Sequence, residues 1–233
     1  VLKQWKDREP RFYVNITYSG SIWLNEGKYN EEMRTDFTNG ANGTCGKSKA
    51  SGDCPDSGYL IRRGAKASNN NGSPVLRLAD MYLGYAEALC MCSDLDNALT
   101  YLNKIRVRAG IPEYTFTATA GKITCPKTQT DLLNRIRRER LVELVFEWNR
   151  YFDVRRWKVA EGQNDPEHWI YPAYHTGGEG GKVYGMNMDK DYPAFFERTS
   201  FETRVAFTKK QYFMPIPYDD LRRIPSLVQN LGW

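Results

Sequence analysis

With 233 residues, 41% of them apolar, and a formal net charge of +5, the chain has material for a sizeable buried core, which excludes disorder and a small staple-dependent scaffold. The most apolar window, residues 76–92, is interrupted by Arg77, Asp80 and Glu87, so no run reaches the roughly 20 apolar residues of a membrane-spanning helix. Basic and acidic residues are interspersed, which argues against nucleic acid as a partner, and the first residues, Val-Leu-Lys-Gln-Trp-Lys-Asp, lack the basic start and apolar run of a signal peptide.

In chain order, residues 11–23 place Phe12, Val14, Ile16 and Tyr18 at alternate positions, the period of a half-buried strand, and predict a short edge strand or hairpin. Residues 39–73 turn to Gly, Asn, Ser and Lys, and Asn69-Asn70-Asn71-Gly72 is turn chemistry, so a long surface loop is expected. Helical spacing then takes over. Leu78, Ala79, Tyr82, Tyr85, Ala86 and Leu89 mark the expected apolar face of a helix over 76–89. Asp94 is the expected cap of a second, antiparallel helix with Leu95, Ala98, Leu99, Leu102 and Ile105 inward, and Gly110 and Pro112 supply its stop. Residues 113–127 read as a loop. The longest helix is predicted from about 130 to 160, with Leu133, Ile136, Leu141, Leu144, Val145, Trp148 and Phe152 on one broad buried face and a bend near Asn149. Residues 162–192 form a second loop region rich in aromatic residues. Short strands are predicted over 199–207 and 209–216, after which Pro215, Pro217 and Pro225 break regular structure.

Candidate chemistry is sparse. Glu139, Glu143 and Glu147 recur every four residues among Arg137, Arg138, Arg140, Arg150, Arg155 and Arg156, a pattern that ion pairing along and between helices explains without a substrate. A glycosidase would need a carboxyl pair in a cleft with one pKa raised, and arginine neighbours act in the opposite sense. His168 and His175, seven apart in a loop without cysteine or acidic companions, make a poor metal signature. Gly177 to Gly181 lacks the strand and helix of a nucleotide cradle, and no serine sits in a nucleophile elbow. No metal, cofactor or catalytic residue is therefore expected. Of five cysteines, Cys45 and Cys54 flank a Gly/Ser/Lys loop that a disulfide could order, with five free thiols the competing reading; Cys90 and Cys92 read as small core hydrophobes. Binding is placed on loop aromatics, because sugars offer apolar C–H faces to Trp and Tyr rings: Trp23, Tyr29, Tyr59, Trp169, Tyr171 and Tyr174. Trp148, Phe152 and Trp157 fall at core spacing and are expected to pack.

Three separated blocks together resemble the SusD/RagB family. They are Asp7-Arg-Glu-Pro-Arg-Phe-Tyr13; Leu76 to Leu89 followed by Ala98, Leu102, Asn103, Ile105, Arg106, Arg108, Ala109 and Gly110, similar to a tetratricopeptide hairpin; and Ile136 to Glu147 continuing through Arg150 to Trp157. Pro215-Ile-Pro217 and Gln229-Asn-Leu-Gly-Trp233 are similar to the family's ending. Trp148-Asn149 stands where the resemblance implies a glycine and a small or polar residue.

The resemblance implies a mainly helical fold with long loops and a few short strands, in which Arg138, Glu139, Arg140, Glu143, Glu147, Arg150, Asp153 and Arg156 specify the fold. It implies a chain that is the C-terminal part of a longer protein, divided into strands and loop over 1–75, helical core over 76–161 and a loop-rich region over 162–233. It further implies a non-catalytic, outer-membrane, cell-surface lipoprotein, anchored through a cysteine outside this chain, that serves polysaccharide utilisation by capturing oligosaccharide for a SusC-like TonB-dependent transporter. A peptide receptor of the same fold, a carbohydrate-active enzyme and a pure interaction scaffold are the alternatives.

Overall fold

A computed structural model of the chain describes residues 5–25, 29–33, 35, 54–62, 76–159, 182–190, 193–203 and 207–233. In chain order its elements are α1 (Pro10–Asn15), β1 (Ile16–Thr17), β2 (Ser21–Asn25), β3 (Tyr29–Met33), β4 (Leu60–Ile61), α2 (Leu78–Met91), α3 (Leu95–Arg108), β5 (Tyr114–Thr115), β6 (Ile123–Thr124), α4 (Gln129–Glu143), α5 (Asn149–Arg156), β7 (Lys182–Gly185), β8 (Thr199–Thr203) and α6 (Tyr218–Arg223), with short 3₁₀ turns at Ala194–Phe196 and Lys209–Tyr212. The fold is mainly helical with few short strands. The chain divides into two compact units, one of Val1–Trp148 with Tyr184–Thr199 and one of Asn149–Val183 with Ser200–Trp233.

The first unit is built on the α2–α3 hairpin, with α4 laid against it. Ala79, Leu83, Ala86 and Cys90 of α2, Ala98, Leu99, Leu102 and Ile105 of α3, and Leu132 and Ile136 of α4 make one continuous core. The α3 face is the predicted one, but the α2 face is turned by one position. Leu78 is 62% exposed and Tyr85 also lies outside, while Leu83, absent from the predicted face, is fully buried. The cause is chemical. Small residues at 79, 86 and 90 let α2 approach its neighbours closely, whereas Tyr82 and Tyr85 lie toward the hairpin's rim, where they meet Tyr101 edge-on at 5.6 and 4.7 Å.

The caps follow local rules. Asp94 accepts a hydrogen bond from the Asn97 N–H, as its position before the apolar run predicts. At the other end of α3, the Ile111 N–H donates to the Arg106 carbonyl and the Gly110 N–H to that of Val107, with Gly110 at φ +69°, the left-handed stop that a residue without Cβ adopts at least cost. Asp94→Ala is expected to lower stability by about 0.5–2 kcal/mol, measured by chemical denaturation.

Residues 11–23 only partly follow their alternation. Residues 10–15 form a helix, and extended backbone begins at Ile16. Pro10 fixes φ in the first helical turn and needs no N–H partner there, and Glu9 before it is held extended, so this dipeptide is a helix start. Val14 is consequently exposed, while Phe12 stacks on Tyr18 at 5.6 Å. The expected hairpin exists further on: β2 pairs antiparallel with β3, Trp23 opposite Glu31 and Asn25 opposite Tyr29. A second cluster, Trp5, Met186, Met188 and Phe195, supports this region, with Tyr18 4.9 Å from the Trp5 ring. Gly185 is required here, since a Cβ would fall 2.6 Å from the Ser57 backbone.

The predicted helix over 130–160 is two helices, α4 and α5, separated by Leu144–Trp148. Phe146 and Trp148 both take positive φ, +65° and +64°, so the link breaks the helix where the sequence suggested a bend. Nor do the predicted aromatics pack: Trp148 is 85% and Phe152 66% exposed, while the charged side chains of Glu139, Arg140 and Glu143 are buried. Trp157, in the second unit, does pack, against Val154 with Phe207 and Tyr212.

In the second unit β8 covers the start of the predicted strand at 199, but residues 209–212 are a 3₁₀ turn, closed by a capping box between Thr208 and Gln211, in place of the predicted strand over 209–216. Pro217 precedes α6, a helix the prolines seemed to forbid; Asp219 and Asp220 in its first turn and Arg222 and Arg223 in its last complement its dipole. The closing Gln-Asn-Leu-Gly-Trp block works by side chains. Gln229 accepts from the Ile216 N–H and donates to the Ile216 carbonyl at 2.8 and 3.0 Å, Asn230 donates to the Met214 carbonyl, and the Trp233 indole donates to the Lys210 carbonyl.

Candidate functional site

The charged face of α4 organises the first unit's electrostatics. Its i, i+4 carboxylates meet arginines delivered from distant segments. Glu139 pairs with Arg11 of α1 at 2.6 Å and Arg106 of α3 at 2.9 Å. Glu143 pairs with Arg11 at 3.0 Å, with Arg77 at the start of α2 at 2.6 Å, and with Arg108 at the end of α3. Glu147, beyond the helix, is gripped by the Arg77 Nε through both carboxylate oxygens at 2.9 and 2.7 Å. Arg140 reaches Asp80 of α2 at 2.9 Å. In the second unit Asp153, buried, pairs with Arg156 at 3.0 Å, and Arg150 lies on the same helix.

Burial alone would push the Glu143 carboxyl up, but hydrogen bonds from Arg77 and Arg11 and the charges of Arg77 and Arg108 outweigh it, so its pKa lies below the ordinary carboxylate value. Arg11 and Arg77 shift upward; desolvation opposes this, and bonds to Glu9 and Glu139, and to Glu147 and Glu143 respectively, overcome it. Held in this way, Glu143 serves as an acceptor of guanidinium hydrogen bonds. The sequence placed the carboxylates correctly and left Arg11, Arg77, Arg106 and Arg108 without a role. The readable signal was acids spaced four residues apart; the two that fall on the core side of α4, Glu139 and Glu143, must find cations wherever the chain can bring them.

Beside this network a groove of about 870 Å³ runs between α1, the α3–β5 turn and α4, with Phe12, Ile16, Ile111, Leu141, Val142 and Val145 on its apolar walls and Arg135 and exposed Arg138 at its polar ones. Tyr114 is covered by two guanidiniums, Arg106 at 3.9 Å and Arg135 at 4.6 Å from its ring centre.

The aromatic residues singled out for binding are distributed as follows. Tyr59 is half-buried, and its hydroxyl accepts from the Trp5 indole at 3.2 Å. Trp23 and Tyr29 belong to the β2–β3 hairpin, whose register assigns positions 23 and 29 to one face, alternating with Ile22 and Leu24. Trp169, Tyr171 and Tyr174, like His168 and His175, lie outside the described residues, as does Cys45, the expected partner of Cys54. Cys54, Cys90, Cys92 and Cys125 are not joined to one another, and Cys90 and Cys125 are buried while Cys92 is exposed.

The model of the SusD family matches residues 1–233. The chain belongs to the SusD family. This SusD-family chain is 29% identical over 171 residues to a SusD-like protein of Bacteroides ovatus, covering 66% of the chain and 28% of that protein. It is 27% identical over 175 residues to SusD-like protein P2 of Formosa agariphila, covering 73% and 27%. The crystal structure of a SusD-like protein from Bacteroides fragilis superposes with a TM-score of 0.69 at 27% identity, covering 98% of this chain and 39% of that one. The chain thus spans between a quarter and two fifths of the length of each of these three relatives.

Proposed function

We propose that this chain is the C-terminal part of a non-catalytic receptor that binds oligosaccharide at the outer-membrane surface and passes it to a SusC-like TonB-dependent transporter, held to the membrane by a lipid anchor outside this sequence. The carrying observation is the family match over residues 1–233. Two features support it. The buried carboxylates Glu139 and Glu143 are held by guanidiniums, and neighbouring positive charge acts against the raised pKa that the general acid of glycoside hydrolysis needs. The register of the β2–β3 hairpin puts positions 23 and 29, where the sequence has Trp and Tyr, on one face, and aromatic residues are the type that meets sugar C–H faces. No helix among the described residues is long and apolar enough to cross a membrane.

The reading is tested by titrating the full-length protein calorimetrically against a panel of oligosaccharides. One class is expected to bind, and Trp23→Ala or Tyr29→Ala is expected to weaken it about tenfold, roughly 1.4 kcal/mol. Heat with peptides alone would favour a peptide receptor of the same fold. New reducing ends released by the wild type and lost in Glu147→Gln would overturn the non-catalytic reading.

A further inference from the structure

The segment leading into the β2–β3 hairpin turns a polar face inward. From the end of α1 to the start of β2, Asn15, Thr17, Ser19 and Ser21 at alternate positions are all buried, as is Thr35 beside Ser19, while Ile22 lies exposed. This inverts the usual pattern of a strand on an apolar core, and burying polar groups has a cost that bonding must offset. For two of the residues it does. The Ser19 hydroxyl accepts from the Thr35 N–H at 3.3 Å, and the Thr35 hydroxyl donates to the Gly58 carbonyl at 2.8 Å, which stitches three separate segments together. Thr17 and Ser21 differ: both hydroxyls are buried without a hydrogen-bond partner. They flank one tight turn, in which the Ser21 N–H donates to the Tyr18 carbonyl at 3.0 Å and Gly20 takes φ +88°. A buried hydroxyl that bonds to nothing is destabilising, whereas valine at 17 and alanine at 21 would fill much the same space with no polar atom to satisfy.

We infer that Thr17 and Ser21 form an internal hydration site, in which ordered water bonds to both hydroxyls and fastens the turn at the base of the β2–β3 hairpin. Neutral hydroxyls donate and accept, as a bound water requires of its neighbours. A metal ion fits less well, because among the described residues no three His, Cys, Asp or Glu side chains gather to hold one. Such a site belongs to the hairpin's support and does not depend on which ligand the protein takes.

The test is a high-resolution crystal structure of the full-length protein, together with thermal unfolding of wild type and Thr17→Val. Solvent peaks within about 3 Å of Thr17 Oγ1 and of Ser21 Oγ are expected. Thr17→Val keeps the shape and removes the bond, so its unfolding midpoint is expected to fall by a few degrees. A dry site overturns the inference, as does a side chain from elsewhere in the longer protein seated on these hydroxyls. A raised or unchanged midpoint also overturns it, because valine would then relieve an unmet hydroxyl instead of displacing a bound water. Should Thr17→Val fail to fold, the wild-type crystal structure alone decides.

Discussion

Glu143→Gln is expected to cost about 3–5 kcal/mol of stability, measured by chemical denaturation, because it removes a shared anion from a buried charge cluster and leaves its guanidiniums one countercharge short. Glu143 is buried on α4 and bonded to guanidiniums from α1, the start of α2 and the end of α3. It therefore joins four segments that are far apart in sequence. A neutral amide keeps the shape and can accept one or two of these bonds, but it no longer offsets the charge of Arg11 and Arg77, whose side chains are also largely buried. Glu147→Gln should cost less, about 1.5–3 kcal/mol, since that carboxylate meets Arg77 from a more exposed position.

The same cluster sets a pH dependence with a definite sign. The Glu143 pKa is depressed in the folded state, so the unfolded chain binds the extra proton. Its contribution is complete above the ordinary carboxylate value and is lost as pH falls through the lower, folded one. The stability gap between wild type and Glu143→Gln should accordingly be widest near neutrality and close as the solution is acidified below the ordinary carboxylate range. A gap that stays constant to low pH would mean the carboxylate is not held ionised by its arginines.

How much of this was legible depended on whether the information was local. The Asp94 cap, the Gly110 stop and the inward face of α3 were readable because each is set within one or two helical turns. Residues 10–15 misled because the alternation of Phe12, Val14, Ile16 and Tyr18 also fits a short helix running into a strand, and Pro10 decides in favour of the helix. The largest misreading lay on α4 and its exit. A periodicity argument assigns the core to apolar residues, so it filled the inward face with Trp148 and Phe152, and it read the acids as paired along and between helices without placing them in the core. The structure buries Glu139 and Glu143 instead, because arginines supplied by α1, α2 and α3 neutralise them. Those partners lie between 33 and 132 residues away in sequence, beyond any local window. Only the family resemblance marked that stretch as fold-specifying, and although its blocks contain Arg11, Arg77, Arg106 and Arg108 it did not pair them with the acids.

The face of α2 offers the cleanest discrimination between pattern and packing, through Leu83→Ala and Leu78→Ala. Helical spacing placed Leu78 inward and passed over Leu83, whereas the structure buries Leu83 completely among Ala79, Ala86 and Leu102 and leaves Leu78 in solvent. Removing three buried carbons from a closely packed hairpin forfeits their transfer free energy and leaves a void that small neighbours cannot collapse to fill, so Leu83→Ala should lower unfolding stability by about 2–5 kcal/mol. Leu78→Ala deletes side-chain atoms that water already covers and improves helix propensity slightly, so its effect should stay within about 0.5 kcal/mol. If the two substitutions cost the same, or Leu78 costs more, then α2 is rotated from the position assigned here. Arg77, one residue before the helix, would then no longer be aimed at Glu143 and Glu147, so the hydrophobic register of α2 and the ion cluster on α4 stand or fall together.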